Sequence, residues 1–180
     1  MNTRSSVVTV ITLSAVVGLG AQKTTQIHPG RGGSPHVRSE WTIDGAHISI
    51  TYGRPYLKGR VVGKDLAQFG YVWRAGADES TTLTSDRTLV LGGLTVPAGS
   101  HTLWVLPAAD KWHLIVNKAT GQWGTDYDEH QDLGRAAMTV EKLARPTEQH
   151  TIAIDPRTGG GTLRIEFGAV RATVPLVVRP

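Results

Sequence analysis

The sequence predicts an all-β protein, built as an antiparallel β-sandwich of jelly-roll type with at most one or two short helical turns. From Pro35 onward, apolar and polar residues alternate with a period of two in most segments, which is the pattern of strands with one buried face. Turn residues recur between these segments at a spacing of roughly 8–12 residues, as in sandwiches and barrels. The sequence contains no amphipathic helical pattern of about ten residues that could cover a parallel sheet.

Two hairpins are the best-defined local elements. Asp44-Gly45 separates two alternating runs, and this dipeptide is a strong signal for a two-residue turn. The segments HTLWVLP and WHLIVN flank Pro107–Lys111 and predict the second hairpin. In its first strand, alternation places two residues on one face and three on the other: Leu103 and Val105 against Thr102, Trp104 and Leu106.

The remaining apolar segments bring the predicted number of strands to roughly eight to ten. They lie at His47–Tyr52, Thr88–Leu91, Gln149–Asp155, Thr162–Phe167 and Ala172–Val178. Helical turns are expected only near Lys64–Phe69 and Val140–Leu143.

The 180 residues are predicted to divide into three parts. Residues 1–21 have the features of a signal peptide, since Arg4 precedes the apolar stretch Val7–Gly20 and Leu19-Gly20-Ala21 is a plausible cleavage context. Gln22–Ser34 is expected to be a flexible lead-in, because it is glycine-rich and weakly hydrophobic. Residues 35–180 then form a single domain. We therefore expect an exported protein, periplasmic or extracellular, with no membrane span in its mature form.

Charge and cysteine content exclude several functions. Removal of residues 1–21 takes only Arg4 from the charge count, which leaves 18 Lys and Arg against 15 Asp and Glu, a formal charge of +3. These charges are scattered and form no basic run, so nucleic-acid binding is not expected. Cysteine is absent, which excludes disulfides, thioether-linked haem and thiol catalysis.

The segment TYGRPYLKGR is the first candidate for a ligand site. Arg54, Lys58 and Arg60 follow the end of a predicted strand within seven residues. Two guanidinium groups and one ammonium group suit a carboxylate, sulfate or phosphate. The alternative is a solvated, ion-paired loop without a ligand.

The segment VWRAGADESTTLT is the second candidate. Gly76 permits a sharp reversal of the chain, which would bring Glu79 back towards Arg74, and we expect Arg54 or Arg60 to join this pair. The cluster would then be either a structural brace between two loops or a site in which Glu79 acts as general acid or base.

No metal site is predicted. Four histidines lie in separate predicted strands without the spacing of a known metal motif: His47, His101, His113 and His150. Asp126, Asp128 and Asp132 lack the glycine and terminal glutamate of a calcium loop. Trp123 lies in a turn-like setting, where it would either stack against a sugar or peptide ligand or pack at the rim of the core.

Five segments, taken in order, resemble a known family: TYGRPYLKGR, YVWRAGADESTTLT, LTVPAGSHTLWVLP, WHLIVNKATGQWG and YDEHQDLGRAAMTVEKL. They are similar to the exported bacterial proteins grouped as domain of unknown function 2911, over about Ser34–Val178. The resemblance implies an exported, mostly β domain, and no known reaction, cofactor or substrate. Its characteristic residues in this chain are Arg54, Pro55, Lys58, Gly59, Arg60, Trp73, Arg74, Gly76, Glu79, Thr81, Pro97, Gly99, Asn117, Trp123 and Gly124. The chain departs from the family pattern at Asp78, where Asn is expected, and at His101, where Tyr is expected.

The function that the sequence favours is an exported, non-catalytic binding or envelope-associated module. Its ligand would be small and anionic or carbohydrate-like, with no cofactor, and its oligomeric state is not indicated. The predicted ligand-binding residues are Arg54, Lys58, Arg60, Arg74, Glu79, Trp73 and Trp123. The alternative is an enzyme in which Glu79 is general acid or base and Arg74 stabilises developing negative charge.

Overall fold

The computed structural model describes residues 22–180, so the predicted signal peptide at residues 1–21 lies outside the described residues. Ten strands and two short 3-10 turns make up its secondary structure. The strands are β1 (Lys23–His28), β2 (His36–Ile43), β3 (Ala46–Gly53), β4 (Thr81–Ser85), β5 (Leu89–Leu91), β6 (Leu94–Val96), β7 (Gly99–Leu106), β8 (Trp112–Asn117), β9 (Asp132–Arg157) and β10 (Gly160–Val178). The 3-10 turns are Arg31–Gly33 and Glu129–Gln131. Within residues 22–180, no helix is long and apolar enough to cross a membrane.

All the strand pairs are antiparallel, in the order β1-β2-β3-β4-β7-β8-β9-β10-β5-β6. The predicted all-β, antiparallel class is therefore confirmed. The pairing defines one continuous ten-stranded sheet rather than the two separate sheets of a sandwich. The long strands β9 and β10 explain this continuity, because β9 pairs with β8 near its start and with β10 along most of its length.

One hydrophobic core is shared by residues of every strand from β2 to β10. A single cluster of this kind requires the sheet to curl, so that its inner face packs against itself. Tyr52 marks one such contact between distant strands. Its hydroxyl accepts from the amide of Ile152 at 3.0 Å and donates to the carbonyl of the same residue at 3.2 Å.

Both predicted hairpins are present. Asp44 (φ 47°) and Gly45 (φ 78°) both have positive φ between β2 and β3, as a tight two-residue hairpin turn requires. In the second hairpin, Leu103 and Val105 lie opposite Val116 and Leu114 of β8. Leu103 and Val105 belong to the core cluster, as alternation predicts.

Two segments differ from the sequence-based prediction. The expected flexible lead-in contains strand β1, which pairs with β2 at the edge of the sheet. Every residue of β1 except His28 is exposed, and backbone pairing with β2 holds the strand in place. Because no face of β1 is buried, its sequence has no apolar alternation from which a strand could be predicted. The expected helical turn at Val140–Leu143 is part of β9, where Val140 pairs with Ala172 of β10.

Candidate functional site

An open cleft with a volume of about 800 Å³ is the candidate site. It is formed by the 31–34 turn, by parts of the 55–78 connection between β3 and β4, and by residues 124–127 between β8 and β9. Of the seven predicted ligand-binding residues, four line this cleft: Lys58, Arg60, Trp73 and Arg74. The other three do not: Arg54, Glu79 and Trp123. A second cavity of about 440 Å³, lined mainly by residues of β1 to β4, contains none of the seven.

Backbone carbonyls hold two arginines at the cleft. Arg60 donates from Nε to Leu57 O at 3.0 Å and from Nη2 to Tyr56 O at 2.8 Å. Arg74 donates from Nε to Gly76 O at 3.3 Å. A carbonyl is neutral, so these bonds orient each guanidinium group without cancelling its charge.

Lys58 and Arg31 add two further positive charges. Lys58 Nζ donates to Gly32 O at 3.4 Å, and the Arg31 amide donates to Asp78 Oδ2 at 2.7 Å. Four cationic side chains line the cleft against two carboxylates, Asp65 and Asp78, which leaves a formal surplus of two positive charges. In the part of the chain that the structure describes, none of the four cationic side chains forms an ion pair.

Aromatic rings form part of the cleft wall: Trp73, Trp104 and Tyr127. The rings of Trp104 and Tyr127 pack with centroids 5.1 Å apart. The Tyr127 hydroxyl donates to Asp132 Oδ2 at 2.7 Å, and burial raises its pKa to about 12, so the phenol stays neutral. Trp123 contributes indirectly, because the Arg31 guanidinium lies 5.2 Å from the centre of its ring.

Backbone strain is concentrated around the cleft. Four of the five non-glycine residues with positive φ in the described chain lie in its lining or next to it: Lys58 (50°), Ala67 (44°), Ala75 (48°) and Asp78 (60°). Such a conformation costs roughly 1–2 kcal/mol for a residue with a Cβ, and it persists only where the surroundings impose it.

A buried histidine supports the strained Ala75. The Ala75 carbonyl accepts from Thr81 Oγ1 at 2.9 Å and lies 2.7 Å from His150 Nε2. Burial lowers the pKa of His150 to about 4. The ring is therefore neutral at pH 7, and its Nε2–H donates to this carbonyl.

The predicted pair of Arg74 and Glu79 does not form. Arg74 lies against Gly124, where a Cβ atom would come within 2.3 Å of Arg74 Cδ. Asp78 faces the cleft, whereas the Glu79 carboxylate lies 2.9 Å from His36 Nε2. Glu79 is therefore directed towards β1 and β2. The structure contains neither the predicted brace nor an acid–base pair of these two residues.

Arg54 is a structural residue that joins the end of β3 to β9. Its Nε donates to the His150 carbonyl at 3.0 Å, and its Nη2 donates to Thr151 Oγ1 at 3.0 Å. Arg60 bonds to the Leu57 and Tyr56 carbonyls instead. The prediction that Arg54 or Arg60 joins Arg74 and Glu79 is therefore wrong.

Glu79 belongs to a cluster that sequence reasoning missed. His28 and His36 lie opposite each other in the β1–β2 pair, with their rings stacked 4.4 Å apart. Glu79 approaches His36 Nε2 at 2.9 Å and His28 Nε2 at 3.8 Å. His36 is almost fully buried, and burial lowers its pKa although the Glu79 charge opposes this shift. The sequence signal was the pair of histidines on either side of the glycine-rich turn PGRGG.

The histidines and aspartates considered as metal ligands do not come together. His150 supports Ala75, Asp128 caps the 129–131 turn, and Asp132 binds Tyr127 and Arg135. Within residues 22–180, the one group of three side chains able to hold a metal ion is His28, His36 and Glu79.

The comparisons with known proteins identify a family but no activity. No curated protein and no solved structure matches the chain. One family model matches residues 34–176, which include β2 to β9, most of β10 and nearly all of the cleft lining. The resemblance of the five sequence segments is thereby confirmed, and the chain belongs to the family described as protein of unknown function (DUF2911).

Proposed function

We propose that this protein is an exported binding module whose cleft holds a small anionic ligand, such as an acidic sugar. The observation that carries the proposal is the convergence of four cationic side chains on one cleft: Arg31, Lys58, Arg60 and Arg74. Asp65 and Asp78 also line the cleft, but within the described residues none of the four cationic side chains forms an ion pair. The cleft volume of about 800 Å³ is in the range of small-molecule sites.

The two sides of the cleft supply different interactions. Within the described residues, the terminal nitrogens of Arg74 have no hydrogen-bond partner, so its guanidinium can donate to a carboxylate, sulfate or phosphate. The rings of Trp73 and Tyr127, which are partly exposed at the cleft, can stack against an apolar ring face. An acidic sugar combines a charged group with such a face, which is why we favour it over a simple anion.

The strained backbone agrees with a binding role. A residue with a Cβ and positive φ lowers stability, so a cluster of such residues indicates that the loop shape is fixed for another purpose. Lys58 is one of these residues and carries one of the charges.

The geometry gives no support to the alternative in which Glu79 and Arg74 act together in catalysis. Glu79 does not line the cleft that contains Arg74. A general acid or base must lie within hydrogen-bond reach of the reacting group that its partner stabilises.

Binding is tested with a panel of glucuronate, galacturonate, sulfate and phosphate, with glucose as the neutral comparison. We expect at least one uronate to raise the melting temperature, glucose to have no effect, and added salt to weaken binding because charge is involved. Arg74→Gln should reduce affinity at least about tenfold, the effect of losing a charge-assisted hydrogen bond.

Two arginine variants serve as controls. Arg145→Gln makes the same change in charge at an exposed position of β9 and should retain affinity. Arg54→Gln should lower stability but retain binding, because the Arg54 side chain bonds only to β9 in the described structure. Equal loss of affinity in Arg74→Gln and Arg145→Gln, or no response to any anion, would refute the proposed site.

Export is tested separately. If residues 1–21 are a signal peptide, protein recovered from the periplasm or the medium should have an intact mass that begins at or near Gln22. A mass beginning at Met1 would contradict export by this route.

A further inference from the structure

The cluster of His28, His36 and Glu79 has the composition and spacing of a metal site. Its three potential ligand atoms all lie within 4.8 Å of one another. A tetrahedral ion with bonds of about 2.1 Å separates its ligands by about 3.4 Å. Glu79 Oε2 lies 2.9 Å from His36 Nε2, and Glu79 Oε1 lies 3.8 Å from His28 Nε2, so each carboxylate oxygen approaches one histidine at a distance near this value.

His36 provides the second, independent observation. It is 3% exposed, and neither of its ring nitrogens has a hydrogen-bond partner in the described structure. Its Nε2 is close to Glu79 Oε2 without the alignment of a hydrogen bond. A buried polar group without a partner destabilises the fold, and a metal ion placed between this nitrogen and the carboxylate would satisfy it.

We propose that His28, His36 and Glu79 bind a divalent transition-metal ion, of which Zn²⁺ is the best match. Two imidazole nitrogens and one carboxylate oxygen are ligands that Zn²⁺ commonly takes, whereas Ca²⁺ and Mg²⁺ prefer oxygen ligands alone. The side chains of His28 and Glu79 are 41% and 49% exposed, so a fourth position faces solvent and can hold water.

Metal binding requires local changes at both histidines. Their rings are stacked nearly parallel, 13° apart, and must tilt so that both Nε2 lone pairs point at one ion. His28 must also change tautomer. The Gly30 amide donates to His28 Nδ1 at 3.1 Å, which places the proton of the neutral ring on Nε2. A metal on Nε2 moves that proton to Nδ1, so the Gly30 amide must give up this bond. The tautomer change costs one partly buried hydrogen bond, which is small beside the binding free energy of a zinc site.

The consequence for the fold is a clip at the base of the 29–35 turn. His28 and His36 lie at the two ends of this turn, and Glu79, two residues before β4, forms a backbone bridge with Trp123. One ion would therefore join β1, β2 and the segment that leads into β4. His28 precedes the residues that the family model matches, so the complete site depends on the β1 strand of this chain.

The test is a Zn²⁺ titration of the purified protein, without a histidine tag, after removal of metals by chelator. Calorimetry should show one strong site per chain. His28→Gln and Glu79→Gln should each weaken Zn²⁺ binding by more than about tenfold, and both positions are half-exposed, so these variants should fold. His113→Gln, in β8, removes an imidazole outside the cluster and should bind as the unmodified protein does.

Co²⁺ provides a second measurement that does not depend on heat signals. Bound to the same three ligands and water, it should give the visible absorption of a four-coordinate site, and that absorption should be absent from Glu79→Gln. The proposal is wrong if no stoichiometric binding occurs, if the two cluster variants keep their Zn²⁺ affinity, or if His113→Gln loses it equally.

Discussion

His150 should make the stability of this protein depend on pH between about 4 and 6.5. The ring is fully buried between the aromatic rings of Tyr52, Trp73 and Phe167, at centroid distances of 5.6, 5.0 and 5.4 Å. Burial lowers its pKa from 6.5 to about 4. Below pH 6.5 the unfolded chain takes up a proton at this ring that the folded chain does not, so the free energy of unfolding falls as the pH decreases.

The size of this effect follows from the pKa difference. A pKa difference of about 2.5 corresponds to about 3 kcal/mol of unfolding free energy. This contribution is present in full above pH 6.5 and is lost as the pH falls to 4. Urea unfolding followed by tryptophan fluorescence at pH 7.5, 6.5, 5 and 4 measures the loss. His150→Leu removes the titrating group, so its decrease in unfolding free energy across this range should be smaller by about 3 kcal/mol.

Two comparisons make the result specific. At pH 7.5, His150→Leu should be less stable by about 1–3 kcal/mol, because the buried Ala75 carbonyl loses one of its donors. Burial also lowers the pKa values of His36 and His101. Both residues are present in the unmodified protein and in His150→Leu, so their contributions cancel when the two pH dependences are subtracted. His130→Leu, at an exposed position, should keep the pH dependence of the unmodified protein. A His150→Leu variant with that same full dependence would refute the assignment.

Two further substitutions test the contacts that shape the core and the cleft. Tyr52→Phe should lower the free energy of unfolding by about 1–3 kcal/mol, because the Ile152 amide and carbonyl lose their partner; Tyr71→Phe, at a residue that is 70% exposed, should change it by less than about 0.5 kcal/mol. Gly124→Ala should cost at least about 1–3 kcal/mol and reduce anion affinity, because its Cβ would clash with the Arg74 side chain and with the Asp78 carbonyl. Gly121→Ala is the control, because a Cβ there meets no atom within 4 Å and only the φ of +80° opposes it. It should cost only about 1 kcal/mol and leave the anion affinity unchanged. Urea unfolding measures the stability of each variant, and calorimetry measures its affinity.

Sequence patterns were sufficient where structure depends on near neighbours. The hairpins follow from alternation and from Asp44-Gly45, and both are present. Lys58 and Arg60 reach the cleft because they lie on the same short loop, whose turn chemistry is visible in the sequence. These predictions required no knowledge of distant partners.

The predictions that failed concern side chains whose direction is set by distant residues. Arg54 turns to His150, 96 positions away, because β3 and β9 are brought together by the curled sheet. Glu79 turns to His28 and His36, whose proximity depends on the register of an exposed edge strand. Opposite charges within a few residues suggested Arg74 as the partner of Glu79, but local attraction is weak in water and the packing of Arg74 over Gly124 decided its position.

The distinction between a brace and a ligand site depends on what holds each arginine. On β10, Arg164 contacts Asp155 at 2.9 Å and Glu166 at 2.9 Å, so its charge is balanced within the fold. In the cleft, Arg60 and Arg74 are held by neutral carbonyls, which fix direction but leave the charge uncompensated. Grouping such charges raises the energy of the folded state through repulsion, and stability alone would favour a carboxylate beside them. Under the proposed function, an anion that enters the cleft would supply this missing charge, whereas the arginine of β10 already has carboxylate partners within the fold.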